Sequence, residues 1–436
     1  MRRALFAYLF TPVLATTAAA ADGTLTQFLS ATKVDGEARA YFFTRSYSSG
    51  TTADADAFSL AALLNVRSAE FAHGFSIGAS FFTAHALGTQ DLDARRVDVT
   101  LMGHVNSINA LGQAYLQYRA SGVLVRIGDQ LLDTPWAGRS DARVLPAGYE
   151  AAYAEWAPLT SVKFSVLRIL EYKGRTAGDY FRDNNYYPPT YEGDSNYGGT
   201  SNLPMRASSA SGAVAGGVTY TTGGLKGTAW FYDFYQFGRL AYVDGQLTLP
   251  SLGGVAPFIG VQAVQEWGSQ NMFARTGTRF FGQPGSAVDS RAYGAIVGTK
   301  QGGVTVSFAY DKLESRGGGA LGGGVLISPY TAGYATDPLY TTSMIRGLVE
   351  LGPGSAWRAK ASWSTLGSQL ELVAAFARYN TEFNGGDTQT YFEAKYSPHG
   401  FLKGLSLRDR LEVGKGRVNP GAQAFVYNRV QLAYAF

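Results

Sequence analysis

Cysteine is absent from this 436-residue chain, which excludes disulfides, thiolate metal sites and cysteine nucleophiles. The same absence suits an oxidising compartment, where stray thiols are a liability. No apolar run reaches the ~18 residues a helix needs to cross a bilayer. Charged residues are only 16% of the chain and the net charge is +4, too small to argue for a nucleic-acid partner. The four histidines (His73, His85, His104, His399) are scattered, with no pair at helical metal-ligand spacing. Neither a metal nor a cofactor is expected.

What is present is glycine and aromatic residue: Gly 54, Tyr 27 and Phe 26. A mean hydropathy of -0.06 with that many aromatics suits strands that show one face to lipid and the other to water. Residues 1–21 read as an export signal. Arg2 and Arg3 form its basic region, Ala4 to Ala15 its apolar region, and Ala19–Ala21 a small-residue cleavage site. Residues 22–436 then form one large β domain.

Alternation begins at Glu37. Arg39, Tyr41, Phe43 and Arg45 share one face of an extended segment, and the uncharged Ala38, Ala40, Phe42 and Thr44 share the other. The pattern recurs along the chain, for example where Val162, Phe164 and Val166 oppose Lys163 and Ser165, or Ala359 and Ala361 oppose Arg358 and Lys360. Connections alternate too. Ala120–Gly122, Gly223–Leu225 and Gln301–Gly303 are tight, whereas Tyr172–Ser209, Gly268–Asp289 and Ser315–Thr342 are long. Short turns on one side and long loops on the other are the habit of an outer-membrane barrel. The 415 residues after the leader (436 − 21), shared among about 18 strands, allow roughly 23 each for strand plus connection. The expected fold is therefore all-β: a transmembrane antiparallel barrel of about 18 strands. At that size the interior is a hydrated channel. Residues 342–351 are placed in the preceding long loop.

One stretch cannot be mostly strand. Residues 130–150 contain Pro135 and Pro146, which lack a ladder N–H, and Gly138 and Gly148, which favour bends. They also contain Trp136, Leu145 and Tyr149, more apolar bulk than a solvated loop needs. A constriction loop over about 132–149, folded back onto the inner wall, accounts for both.

With the apolar faces on lipid, the inward cations are Arg39, Arg45, Arg119, Arg126, Lys163, Arg358, Lys360, Lys395, Arg408, Arg410 and Arg429, and the inward acids are the fewer Glu37, Asp233, Glu393 and Glu412. Barrel closure makes the first and last strands neighbours, so Arg39, Arg45, Arg408, Arg410 and Arg429 fall in one sector. A guanidinium-lined aqueous path lowers the barrier for carboxylates and repels cations. Asp409 falls on the lipid-facing side of its strand, at an interface or beside a bulge. The last residues, Val430 to Phe436, end on an outward aromatic, the form of a signal read by the barrel assembly machinery.

Three stretches carry a family likeness: G-E-A-R-A-Y-F-F-T-R-S-Y (36–47), I-G-D-Q-L-L-D-T-P-W-A-G-R-S-D-A-R-V-L-P-A-G-Y-E (127–150) and L-K-G-L-S-L-R-D-R-L (402–411). In these stretches and their spacing the chain resembles the OprD-like substrate-specific outer-membrane porins. The resemblance implies 18 strands, a third external loop folded into the pore and an arginine ladder through the constriction. It also implies small carboxylate-bearing substrates such as amino acids or aromatic acids. By the same resemblance Arg39 and Arg45 form the first-strand ladder pair, Ser140, Asp141 and Arg143 the polar cluster of the loop, and Arg408 and Arg410 basic residues of the penultimate strand. Ser46 and Asp409 depart from the family pattern.

The expectation is a passive, substrate-selective channel, not an enzyme, in the outer membrane of a Gram-negative bacterium. It would contact outer-membrane lipid and exist as a monomer or a trimer. The alternatives are a general diffusion porin with weak anion selectivity and an outer-membrane barrel hydrolase. Gly74–Gly78 fits the G-x-S-x-G pattern around Ser76, but within an alternating run and not at a strand-to-helix elbow. Gly317–Gly322 fits G-x-G-x-x-G, yet Ser328-Pro329 follows too soon for a helix.

Overall fold

A computed structural model describes residues 28–48, 52–140, 142–182, 212–268, 286–317, 319–326, 328–330, 337–383, 385–416 and 424–436. The leader assigned to residues 1–21 lies outside the described residues. The barrel has 18 antiparallel strands. In chain order they are β1 (Lys33–Tyr47), β2 (Ala55–Arg67), β3 (Phe75–His85), β4 (Ser107–Ala120), β5 (Val123–Gln130) and β6 (Gly148–Leu159). Next come β7 (Val162–Lys173), β8 (Ala213–Thr222), β9 (Leu225–Phe234), β10 (Gly238–Thr248), β11 (Val255–Gly268) and β12 (Val288–Gln301). The last six are β13 (Val304–Leu313), β14 (Gly354–Thr365), β15 (Leu370–Thr381), β16 (Gly385–Tyr396), β17 (Leu405–Gly416) and β18 (Phe425–Ala435).

Each strand pairs with its neighbours in sequence, and β18 pairs with β1 from Glu37↔Ala435 to Tyr47↔Phe425, so no edge is left. The terminal residue completes the seam. Gly36 donates its N–H to the Phe436 carbonyl at 3.1 Å and accepts the Phe436 N–H at 3.0 Å. The Phe436 ring lies on Gly36, where any Cβ would meet it at 2.6 Å.

The outer face carries an exposed apolar belt that includes Leu64, Phe81, Val166, Val261, Phe308 and Phe392, the surface of a membrane-spanning barrel. Parity within β1 holds as read, with Arg39, Tyr41 and Phe43 buried inward and Phe42 exposed outward. Asp409 does face outward. Its strand pairs without a register shift, so no bulge rescues it, and the side chain accepts a hydrogen bond from Asn428 Nδ2 at 2.7 Å.

Asp233 corrects the inward list. It faces outward beside Phe231, 3.6 Å from Arg239 Nε, while Trp230, Tyr232 and Phe234 of the same strand turn inward. Apolar side chains point into the barrel there because the lumen contains a hydrophobic core. That core runs from Trp136 and Tyr149 through Tyr232 and Tyr242 to Leu326, Tyr330 and Leu348. A second cluster joins Phe43, Phe82 and Tyr427 to Leu101, Met102, Val144 and Leu145. Both are built where the described residues of three long loops between strands, 86–106, 131–147 and 314–353, fold inward.

Candidate functional site

Register converts the arginine sector into rows across β16, β17, β18 and β1. Nearest the long loops, Tyr391, Glu412, Tyr427 and Arg45 stand side by side. Below them come Glu393, Arg410, Arg429 and Phe43, and then Lys395, Arg408, Gln431 and Tyr41. Arg39 follows two residues further down β1. Carboxylates are interleaved with these cations. Arg39 Nη2 donates to Glu37 at 2.9 Å, Arg45 Nη2 to Asp98 at 2.9 Å and Arg408 Nε to Glu393 at 2.8 Å. Arg410 lies 3.6 Å from Glu393 and donates to the Tyr391 hydroxyl at 3.0 Å. Arg429 is fully buried, its guanidinium 4.9 Å from the Phe43 ring and 4.5 Å from Tyr427. Cation–π contact partly replaces water around that charge.

The third external loop, 131–147, sits against this wall. It opens with a two-residue ladder, Asp133–Thr134 against Ala137–Gly138, a shorter strand than the prolines ruled out but a real one. Thr134 Oγ1 donates to the Ala137 carbonyl at 2.8 Å and closes the turn around Pro135 and Trp136. Trp136 is fully buried, edge-on to Tyr242 at 6.2 Å, and its backbone N–H donates to the Tyr232 hydroxyl at 3.3 Å. The returning limb is held from the opposite side. Arg39 Nη1 donates to the carbonyls of Val144 at 3.0 Å and Arg143 at 3.4 Å, and Lys173 Nζ donates to Pro146 at 3.1 Å. Arg143 itself is fully buried, 6.0 Å from the Phe43 ring. Burial, then the like charges of Arg429 and Arg175, push its guanidinium well below the ordinary arginine value. Ser140, at φ 47°, accepts from Arg175 Nη1 at 3.2 Å. Asp141 lies outside the described residues.

Two further loops close on the lumen, and neither was singled out from the sequence. In the loop 86–106, Asp98 caps a short helix (Val99–Met102) by accepting from Thr100 N at 3.0 Å. Burial pushes the Asp98 carboxyl up. Arg45, together with hydrogen bonds from Tyr427 and Thr100, outweighs burial and holds it below the usual aspartate value. In the loop 314–353, the segment 337–346 is a strap stapled to five strands. Asp244 on β10 accepts from the Tyr340 hydroxyl, and Asp311 on β13 accepts from Thr341 N at 2.6 Å. Arg358 on β14 donates to the Thr342 carbonyl, and Tyr379 on β15 donates to that of Thr341 at 2.6 Å. Glu412 on β17 accepts from Ser343 Oγ and from Met344 N at 2.8 Å. Asp337, within the strap, is pushed up to about 6 by burial.

The structure thus gathers Arg39, Arg45, Arg143, Arg408, Arg410 and Arg429 at one wall. Arg358 and Lys360 lie on β14, where Arg358 serves the strap. Arg126 stands apart on β5, stacked on Tyr115 at 4.4 Å. The inward surface also carries more carboxylate than expected, with Asp98, Asp244, Glu266, Asp311, Asp337 and Asp387 added to the three correctly placed acids. Their sequence signal was weak. Only Asp98, followed by Thr100 and then Leu101-Met102, has the look of a helix cap. The cationic wall and the buried carboxylates bonded to the inward loops together border the loop-narrowed lumen.

No protein-family model and no curated protein matches the chain by sequence. Solved structures match closely in shape. Pseudomonas aeruginosa OccK9 (OpdG) has a TM-score of 0.73 at 15% identity, covering 94% of this chain and 99% of that one. OccK2 (OpdF) of the same organism, solved in complex with glucuronate, has 0.69 at 14%, covering 94% and 99%. P. aeruginosa OpdK, solved with vanillate, has 0.69 at 15%, again covering 94% and 99%. These neighbours are OprD-family outer-membrane porins, and the chain shares their fold, a closed barrel of 18 antiparallel strands, over nearly its whole length.

Proposed function

We propose that the protein is a substrate-selective porin of the bacterial outer membrane, passing small carboxylate-bearing solutes inward by diffusion. The observation that carries this reading is the run of guanidiniums from Arg45 through Arg429 and Arg410 to Arg408 and Arg39, facing a loop held at the lumen by Arg39 itself. Arg45 and Arg408, the partly exposed members of the run, can each take a carboxylate in bidentate fashion, and Tyr391 between them gives a solute's remaining polar groups a partner. Ser140, Asp141 and Arg143 shape the narrowing. Glucuronate and vanillate, present in the structures of two neighbours, are both carboxylates and suit the same chemistry. Three inward loops favour selectivity over a general diffusion pore, whose water column would be wider. The N-terminal leader would export the chain, and Phe436 on the seam would present the assembly signal.

The test is a conductance-competition and liposome-swelling series with acetate, benzoate, glucuronate, arginine and neutral sugars. Carboxylates should compete with one another and permeate faster than sugars of equal size. Arg45→Gln together with Arg408→Gln should lower the anion-to-cation permeability ratio several-fold. Equal permeation by size alone would leave the general diffusion pore as the correct description.

A further inference from the structure

We propose a second carboxylate-binding station at the short-turn mouth of the channel, on the wall that adjoins the arginine ladder beyond β1, built from Arg67, Arg119 and Arg126. It rests on the anion-channel reading above and adds a place where the solute pauses after the constriction. The ladder cations share Glu37, Asp98 and Glu393 as ion-pair partners. On the inward faces of β3 to β7 near the short turns, Glu155 is the one carboxylate, and Lys163 Nζ holds it at 2.7 Å. Among the described residues, no carboxylate lies within ion-pair range of Arg67, Arg119 or Arg126. This stretch of wall is therefore more cationic toward a passing ion than the ladder is.

The station is built, not merely charged. Gly78 on β3 lies between Arg67 on β2 and Tyr115 on β4 in the ladder of strands. Having no side chain, Gly78 lets the Tyr115 ring lie flat on the wall, where a Cβ would come within 2.2 Å of it. The Arg126 guanidinium covers that ring at 4.4 Å. Its Nε and Nη2 donate to Gln117 Oε1 at 3.3 and 2.7 Å, which fixes the plane of the fork and leaves Nη1 for a ligand. Arg119 is two residues beyond Gln117 on the same inward face and is exposed, as is Arg67. A carboxylate set between the three would meet one oriented fork and two mobile ones, an arrangement for brief capture followed by release to the short-turn side.

The test uses the full-length protein inserted in one orientation in a planar bilayer, with benzoate as probe on one side at a time in constant KCl. The half-blocking concentration is read from each side. In the Arg119→Gln/Arg126→Gln variant, the half-blocking concentration from the short-turn side should rise about tenfold, and that from the loop side should change less than twofold. Arg126→Lys, which keeps the charge and loses the fork, should recover only part of the block. Heat-modifiable gel mobility confirms that each variant is a folded barrel. No change from the short-turn side, or an equal change from both sides, overturns the second station while the ladder stands. Failure of benzoate to block the unaltered protein from either side overturns the carboxylate reading on which it rests.

Discussion

Arg39 lies on the ladder and also bonds the loop: Nη1 donates to the Val144 carbonyl at 3.0 Å and to the Arg143 carbonyl at 3.4 Å. Replacing it with methionine keeps an unbranched apolar stem and removes every donor. A hydrogen bond from a charged donor contributes about 1.5–3 kcal/mol, and the carbonyls left behind are screened from water. Taking one full and one long bond together, the returning limb of the loop should lose about 3 kcal/mol. At 1.4 kcal/mol per factor of ten, its detached population rises about a hundredfold. Loss of the Glu37 contact adds little, because that carboxylate is 31% exposed and can turn to water. The absence of native cysteine provides a clean reporter. Ala147 is 1% exposed, so Ala147→Cys should react slowly with a small charged thiol reagent. In the Arg39→Met background its labelling should accelerate by one to two orders of magnitude, with larger and noisier single-channel currents. Arg45→Met, whose partner Asp98 belongs to another loop, should leave that labelling rate unchanged. Equal labelling in the two backgrounds would refute the clamp.

Three further outcomes follow from the same contacts. Trp136→Ala removes a fully buried indole from the lumenal core and should cost about 3–5 kcal/mol of loop packing, read as raised conductance and weaker discrimination among carboxylates. Asp337 is raised from 3.8 to about 6, so its protonated form is the one the strap accommodates. Strap stability should be fullest below about pH 4 and fall as pH rises through about 6, by on the order of 3 kcal/mol in all. Gating noise should therefore grow between about pH 4 and 6, and Asp337→Asn should flatten that dependence. Asp409→Leu removes a carboxylate from the lipid-facing surface and should stabilise the barrel by about 1–2 kcal/mol in urea unfolding from bilayers, offset in part by the loss of Asn428 as partner.

Much of the barrel could be read from alternation because each strand carries its own instruction. An inward Arg39 or Lys163 and an outward Phe42 or Phe164 stand at positions of opposite parity on one strand, and no distant contact is needed to place them. Asp233 shows where the instruction fails. In Trp230–Phe234 both faces are aromatic, and parity could be decided only by knowing that the lumen beside this strand is dry. That dryness is supplied by Trp136, almost a hundred residues earlier, and by Leu326 and Tyr330, almost a hundred later.

The two lumenal loops differ in the same respect. The third external loop announced itself because its anchors, Trp136 and Leu145 within it and Tyr149 just after it, are large apolar residues, where bulk without a local partner implies a distant one. The strap 337–346 is held the other way round. The residues that bond the wall, Tyr340, Thr341, Thr342 and Ser343, are ordinary for a solvated loop, and their anchors include Asp311, Arg358, Tyr379 and Glu412 on the strands, while Leu339, Met344 and Ile345 pack into the lumenal clusters. On a strand, each of those anchors reads as one more water-facing polar residue. A carboxylate that meets water and one that meets a backbone N–H look alike in sequence, and only the geometry separates them. The number of cations turned inward was therefore legible, but the fraction still able to meet a solute was not. That fraction depends on which carboxylates the loops occupy. Glu412 accepts from Ser343 and Met344 and lies one row from Arg429, whose charge acts on it, so the strap that fixes this carboxylate bears on the charge of the ladder as well as the width of the pore.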